Sequence, residues 1–110
     1  FLLQDGVWNN QRLLPEGFVQ TISSPSVASK GEYAQGQLWR WGPQGETPEG
    51  ENPDQRFNLP ADTYWMRGHD GQTIALVPSR KLVLVRLGLT PKALNHQSQH
   101  LLSALLQALP

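Results

Sequence analysis

Three short apolar runs in close succession constrain this chain more than any other feature: residues 63–68, 73–77 and 82–87. Each is rich in Val, Ile, Leu or aromatic residues and bounded by Gly, Pro, Asp or Ser, which predicts antiparallel strands. Asp70-Gly71, between the first two, is a favoured two-residue hairpin turn, and Pro78-Ser79-Arg80-Lys81 joins the last two. The third run, Leu82-Val83-Leu84-Val85-Arg86-Leu87, barely alternates. A strand apolar on both faces belongs in the middle of a layered structure, with helices on at least one side. The following residues predict such a helix: Thr90-Pro91 offers an N-cap and a first-turn proline, and Leu94, Leu101, Leu102, Leu105, Leu106 and Leu109 recur at helical spacing.

Upstream, Asp5-Gly6 reads as a turn, and Pro15-Glu16-Gly17 as the entry to a short helix ending near Ile22, with Glu16 at its positive end. A Ser-rich linker covers 23–30. From Tyr33 to Trp41 the alternate positions suggest a fourth strand presenting Trp39 and Trp41 on one face. Residues 43–60 carry acids among prolines and glycines and read as a long polar loop, solvated or binding. The expected fold is α+β: an antiparallel sheet of three to four strands, a C-terminal helix packed on it and a short N-terminal helix.

With 110 residues, one domain accommodates the whole chain. Nine basic side chains against nine acidic ones provide no field for nucleic acid. The lack of cysteine excludes disulfides, thiolate nucleophiles and thiolate zinc sites. Charged residues make only 16% of the chain, so much surface is neutral or meant to be covered by other protein. Phe1-Leu2-Leu3 is a poor terminus, which suggests a chain that begins inside a longer protein. No run approaches the ~20 apolar residues of a membrane span.

Three polar constellations carry candidate chemistry. His96 and His100 stand one helical turn apart, the spacing for a shared metal, but no third ligand is near, and a solvated face explains them better. Ser26 and Ser29 precede Lys30 by four residues and by one, which is the wrong spacing for a lysine-activated serine on a helix. Gly68-His69-Asp70-Gly71-Gln72 is either a plain hairpin turn or a place where side-chain-free backbone admits a ligand.

Tyr64-Trp65-Met66-Arg67-Gly68-His69-Asp70-Gly71-Gln72, then Ile74-Ala75-Leu76-Val77-Pro78 and Leu82 to Gly88, resemble the C-terminal end of the beta-lactamase-related serine hydrolases. The pattern is nearest to the 6-aminohexanoate-dimer hydrolases. Asp5-Gly6-Val7-Trp8 and Arg12 to Val19 resemble the stretch that precedes it in that group, while residues 43–60 match nothing there. The resemblance implies a fragment of the beta-lactamase/transpeptidase-like fold, from a bacterial protein of periplasm or cytoplasm, that acts on small amides or esters through an acyl-enzyme without a cofactor or metal. The family's Ser-x-x-Lys and tyrosine boxes lie upstream of the matched region and are absent here, so the chain alone is expected to be inactive. The family's third box falls on Met66, Arg67 and Gly68, which makes the His69 N–H an oxyanion donor. A second register places it on His69, Asp70 and Gly71, with the Gln72 N–H as donor. Arg67, with Trp65 and Asp70, is then expected in the substrate wall.

A competing reading makes the chain a free-standing interaction module using Trp39, Trp41 and the 43–60 loop. The resemblance also implies that the strand at 82–87 pairs with an N-terminal strand from the missing part of the protein. Its edge would otherwise be open, so the isolated chain is expected to self-associate.

Overall fold

The computed structural model describes residues 1–43 and 51–110. The three apolar runs form β3 (Tyr64–Arg67), β4 (Thr73–Val77) and β5 (Leu82–Arg86), an antiparallel sheet in the order β3-β4-β5. Its register aligns Trp65 with Ala75 and Ala75 with Leu84. Near the N-terminus, β1 (Val7–Trp8) and β2 (Gln11–Arg12) make a small hairpin, and α1 (Phe18–Ser23) is a short helix. The chain ends in α2 (Ser98–Ala108). The expected α+β class, the three-stranded antiparallel sheet and both helices are therefore present.

The pleat sends alternate side chains to opposite faces, and each face has its own core. On one face Trp65, Ala75 and Val77 pack with Leu59 and with Leu102 of α2, flanked by Leu82, Leu84 and Leu106. On the other, Tyr64 and Leu76 pack with Ala34 and Leu38, while Leu2, Leu3, Val19 and Ile22 lie over them. The N-terminal segment thus covers the side of the sheet that α2 leaves free.

Four expectations are corrected. β5, at the edge of the sheet among the described residues, is covered on one face and not on both: Leu82 and Leu84 are half-buried, while Val83 and Val85 face outward and are exposed. The fourth strand at 33–41 is reduced to single bridges, Tyr33 to Trp39 and Trp39 to Trp65. Gly36 and Gln37 (φ 62°) fold that stretch back on itself, and Ala34 N–H donates to the Leu38 carbonyl at 2.8 Å. Gly36 sits against α1 so closely that an added Cβ would lie 2.4 Å from the Ile22 Cβ. α2 starts at Ser98, since Pro91 takes an extended conformation and Asn95 a left-handed one, which leaves Leu94 exposed. The first helix starts at Phe18, and its entry is capped by Asp5 instead of Glu16: the Asp5 carboxylate accepts from Gly17 N–H (2.9 Å) and Val19 N–H (3.3 Å). Those bonds, Gly17 first, hold the Asp5 pKa below the ordinary carboxylate value.

Candidate functional site

β3 and β4 are joined at Asp70 (φ 53°) and Gly71 (φ 77°), the paired positive dihedrals of a primed hairpin turn. Gln72 N–H closes the turn on the His69 carbonyl at 3.3 Å, and Gly68 N–H donates to the Gln72 carbonyl at 2.8 Å. The turn is lashed to the chain beyond β5. Arg86 Nη1 donates to the Gly71 carbonyl (3.0 Å), Arg86 Nη2 donates to Thr90 Oγ1, and Thr90 N–H donates to the Asp70 carbonyl (2.9 Å). These bonds hold residues 68–72 beside 90–96, and between them lies a cleft of about 490 Å³ lined by Arg67, Gly68, His69, Gln72, Lys92 and His96, among others.

Most of the residues singled out in the sequence meet at this cleft. The His69 side chain is largely exposed, with Nε2 3.3 Å from Asp70 Oδ2. Its backbone N–H has no hydrogen-bond partner among the described residues, whereas the Gln72 N–H is engaged inside the turn. Arg67 is held on the same wall. Its guanidinium lies 3.8 Å from the centre of the Trp39 ring and 3.7 Å from Glu32 Oε1. Desolvation there pulls its pKa down, against the raising influence of Glu32.

Trp65 does not belong to the wall. It is 0% exposed, so it reaches no substrate from where it stands. Its Nε1 instead donates to Asp54 Oδ2 at 2.8 Å. Asp54, in the stretch read as polar loop, is 3% exposed, and its Oδ1 also accepts from Gly42 N–H (3.0 Å) and Gln99 Nε2 (3.2 Å). Burial raises its pKa more than these donors lower it. The local signal was Asn52-Pro53-Asp54: Asn52 Oδ1 accepts from Asp54 N–H at 2.9 Å and Pro53 opens the 3-10 turn Pro53–Phe57, a helix-start pattern. The rest of the 43–60 loop prediction, residues 44–50, lies outside the described residues.

The tryptophans proposed as a platform are also occupied. Trp41 is buried, and Trp39 is in contact with both Arg67 and Tyr33, whose ring centre is 4.0 Å away. His96 precedes α2, while His100 lies on it and meets Phe57 edge-on, so helical spacing does not relate the two. Among the described residues no three His, Cys, Asp or Glu side chains cluster as a metal would need, and no helix is long and apolar enough to cross a membrane. Comparison of the chain with protein-family models, with curated proteins and with solved structures finds no match.

Proposed function

We propose that the β3 edge and the cleft beside it form one wall of a serine hydrolase site for small amides or esters, inactive without the rest of the site. The single observation that carries this reading is the His69 N–H: it follows a residue without a side chain, belongs to a residue that lines the cleft and has no partner among the described residues. In acyl transfer a serine Oγ attacks the substrate carbonyl, the serine proton passes to its base, and the carbonyl oxygen becomes an oxyanion. A backbone donor fixed in advance stabilises that charge, and removal of one such donor costs about 3 kcal/mol of barrier. The lashing of Gly71 and Asp70 to Arg86 and Thr90 supplies the fixity. The engaged Gln72 N–H favours His69 over Gln72 as the donor. Gly68 lets the substrate approach the strand, and Arg67 sets the charge of the wall. The nucleophile and its base would come from protein outside these 110 residues.

Two measurements test the reading. The 110-residue chain should hydrolyse p-nitrophenyl butyrate no faster than buffer, and saturable turnover would contradict its dependence on a missing nucleophile. The parent gene should encode Ser-x-x-Lys and tyrosine boxes before Phe1; a gene without them sinks the hydrolase reading.

A further inference from the structure

The two outer strands of the three-stranded sheet differ in what lies beside them. Along β3, Trp39 and Trp65 exchange both backbone hydrogen bonds, Trp39 N–H to the Trp65 carbonyl at 2.8 Å and Trp65 N–H to the Trp39 carbonyl at 2.7 Å. β5 pairs with β4 and with no further strand among the described residues. Such an edge presents a row of backbone donors and acceptors to any strand that fits it, and proteins blunt it with charge, proline or a bulge. Leu82-Val83-Leu84-Val85 contains neither charge nor proline, and its ladder with β4 runs residue for residue without a bulge. Val83 and Val85 are 46% and 54% exposed, although they adjoin the second core: Val83 lies opposite Leu76 and Val85 opposite Ile74.

The sequence of the edge selects its partner. An antiparallel neighbour is read in the reverse direction, and Val83-Leu84-Val85 reads the same both ways. We infer that β5 pairs antiparallel with β5 of a second copy of this chain, about a twofold axis at Leu84, to give a closed dimer with one six-stranded sheet. In this register Leu84 faces its counterpart, Val83 faces Val85 of the second copy, and Leu82 faces Arg86 of the second copy. Residues directly opposite share a face of the sheet, so an apolar row continues across the junction. It runs through Tyr64, Leu76 and Val83 of one copy and on into Val85, Ile74 and Met66 of the other. The two Arg86 side chains stand at opposite ends of the shared ladder, each bonded to the Gly71 carbonyl and Thr90 hydroxyl of its own copy, so like charges do not meet. A twofold contact uses the same strand on both copies and therefore closes, while Trp39 obstructs the β3 edge at Trp65. The inference goes beyond the hydrolase reading and does not rest on it.

Sedimentation of the 110-residue chain over a range of concentrations should show a monomer–dimer equilibrium without larger species. Val85→Lys sets a cation against Val83 of the second copy and should raise the dissociation constant about tenfold. The chain contains no cysteine, so Leu84→Cys reports the register: mild oxidation should link it to its counterpart, whereas Ala104→Cys, on the exposed side of α2, should stay unlinked. Should Leu84→Cys fail to fold, contacts between Val83 and Val85 methyl groups of different copies, read by isotope-filtered NMR in a mixture of labelled and unlabelled chain, carry the register. A monomer at every concentration overturns the inference and leaves β5 to a strand of another sequence. Assemblies that grow past the dimer, an affinity unchanged in folded Val85→Lys, or linkage at Ala104→Cys in place of Leu84→Cys overturn it as well. Turnover of p-nitrophenyl butyrate bears on the β3 wall alone, so the two proposals fail separately.

Discussion

Replacing Asp54 by alanine strands three buried donors at once: Trp65 Nε1, Gly42 N–H and Gln99 Nε2, which now reach the carboxylate at 2.8, 3.0 and 3.2 Å. Each buried donor left without an acceptor costs about 1–3 kcal/mol. The opposing gain is relief from holding a desolvated carboxylate, which is why the Asp54 pKa is raised. A net loss of about 3 kcal/mol is expected, a large share of the roughly 5–15 kcal/mol that stabilises a domain. Urea unfolding followed by tryptophan fluorescence measures it, with Trp65 as a reporter bonded directly to the altered group. Asp54→Asn, which keeps shape and one acceptor oxygen, should lose less. The pH dependence has a definite sign. A carboxyl with a raised folded pKa contributes stability that is complete below its unfolded value of about 3.9 and is lost as pH rises through the folded value. Wild type should therefore gain on Asp54→Asn as the solution is acidified from neutral. Wild type alone is a poor guide, because the lowered pKa of Asp5 works the opposite way: its contribution is present above the unfolded value and lost as pH falls through the folded one. An Asp54→Ala variant within about 0.5 kcal/mol of wild type, or a gap to Asp54→Asn that ignores pH, would refute the reasoning.

Two further outcomes are expected. Gly36→Ala places a methyl group 2.4 Å from the Ile22 Cβ and should cost about 1–3 kcal/mol by urea unfolding, as overpacked cores do. The edge of β5, which pairs with no further strand among the described residues and has Val83 and Val85 exposed beside it, should drive concentration-dependent association in light scattering, and Val83→Lys with Val85→Lys should suppress it; a wild-type monomer at every concentration contradicts this.

The parts of the fold that were legible in the sequence are those written locally. β3, β4 and β5 follow from short apolar runs, and Asp70-Gly71 specifies its own turn through positive φ. The coverage of β5 was misread because Leu82 to Leu87 is apolar at nearly every position, and composition cannot say which face is covered. That depends on the N-terminal segment, which reaches Tyr64 and Leu76 but leaves Val83 and Val85 bare. Residues 33–41 keep a strand's period, yet Gly36 is used for contact with Ile22, a pairing set by packing. In the candidate site, the turn from Gly68 to Gln72 was visible as a glycine cluster. Asp54 was hidden, since its partners Trp65 and Gln99 lie 11 and 45 residues away and an acid among prolines resembles solvated loop.

The Asp54 carboxylate also acts as a clasp. By accepting from Gly42 N–H across 12 residues, it closes the base of the intervening chain while its other bonds fix Trp65 and Gln99. One carboxylate thus joins three separate stretches of chain, so its loss loosens the Gly42 backbone, the Trp65 ring and the seating of α2 together.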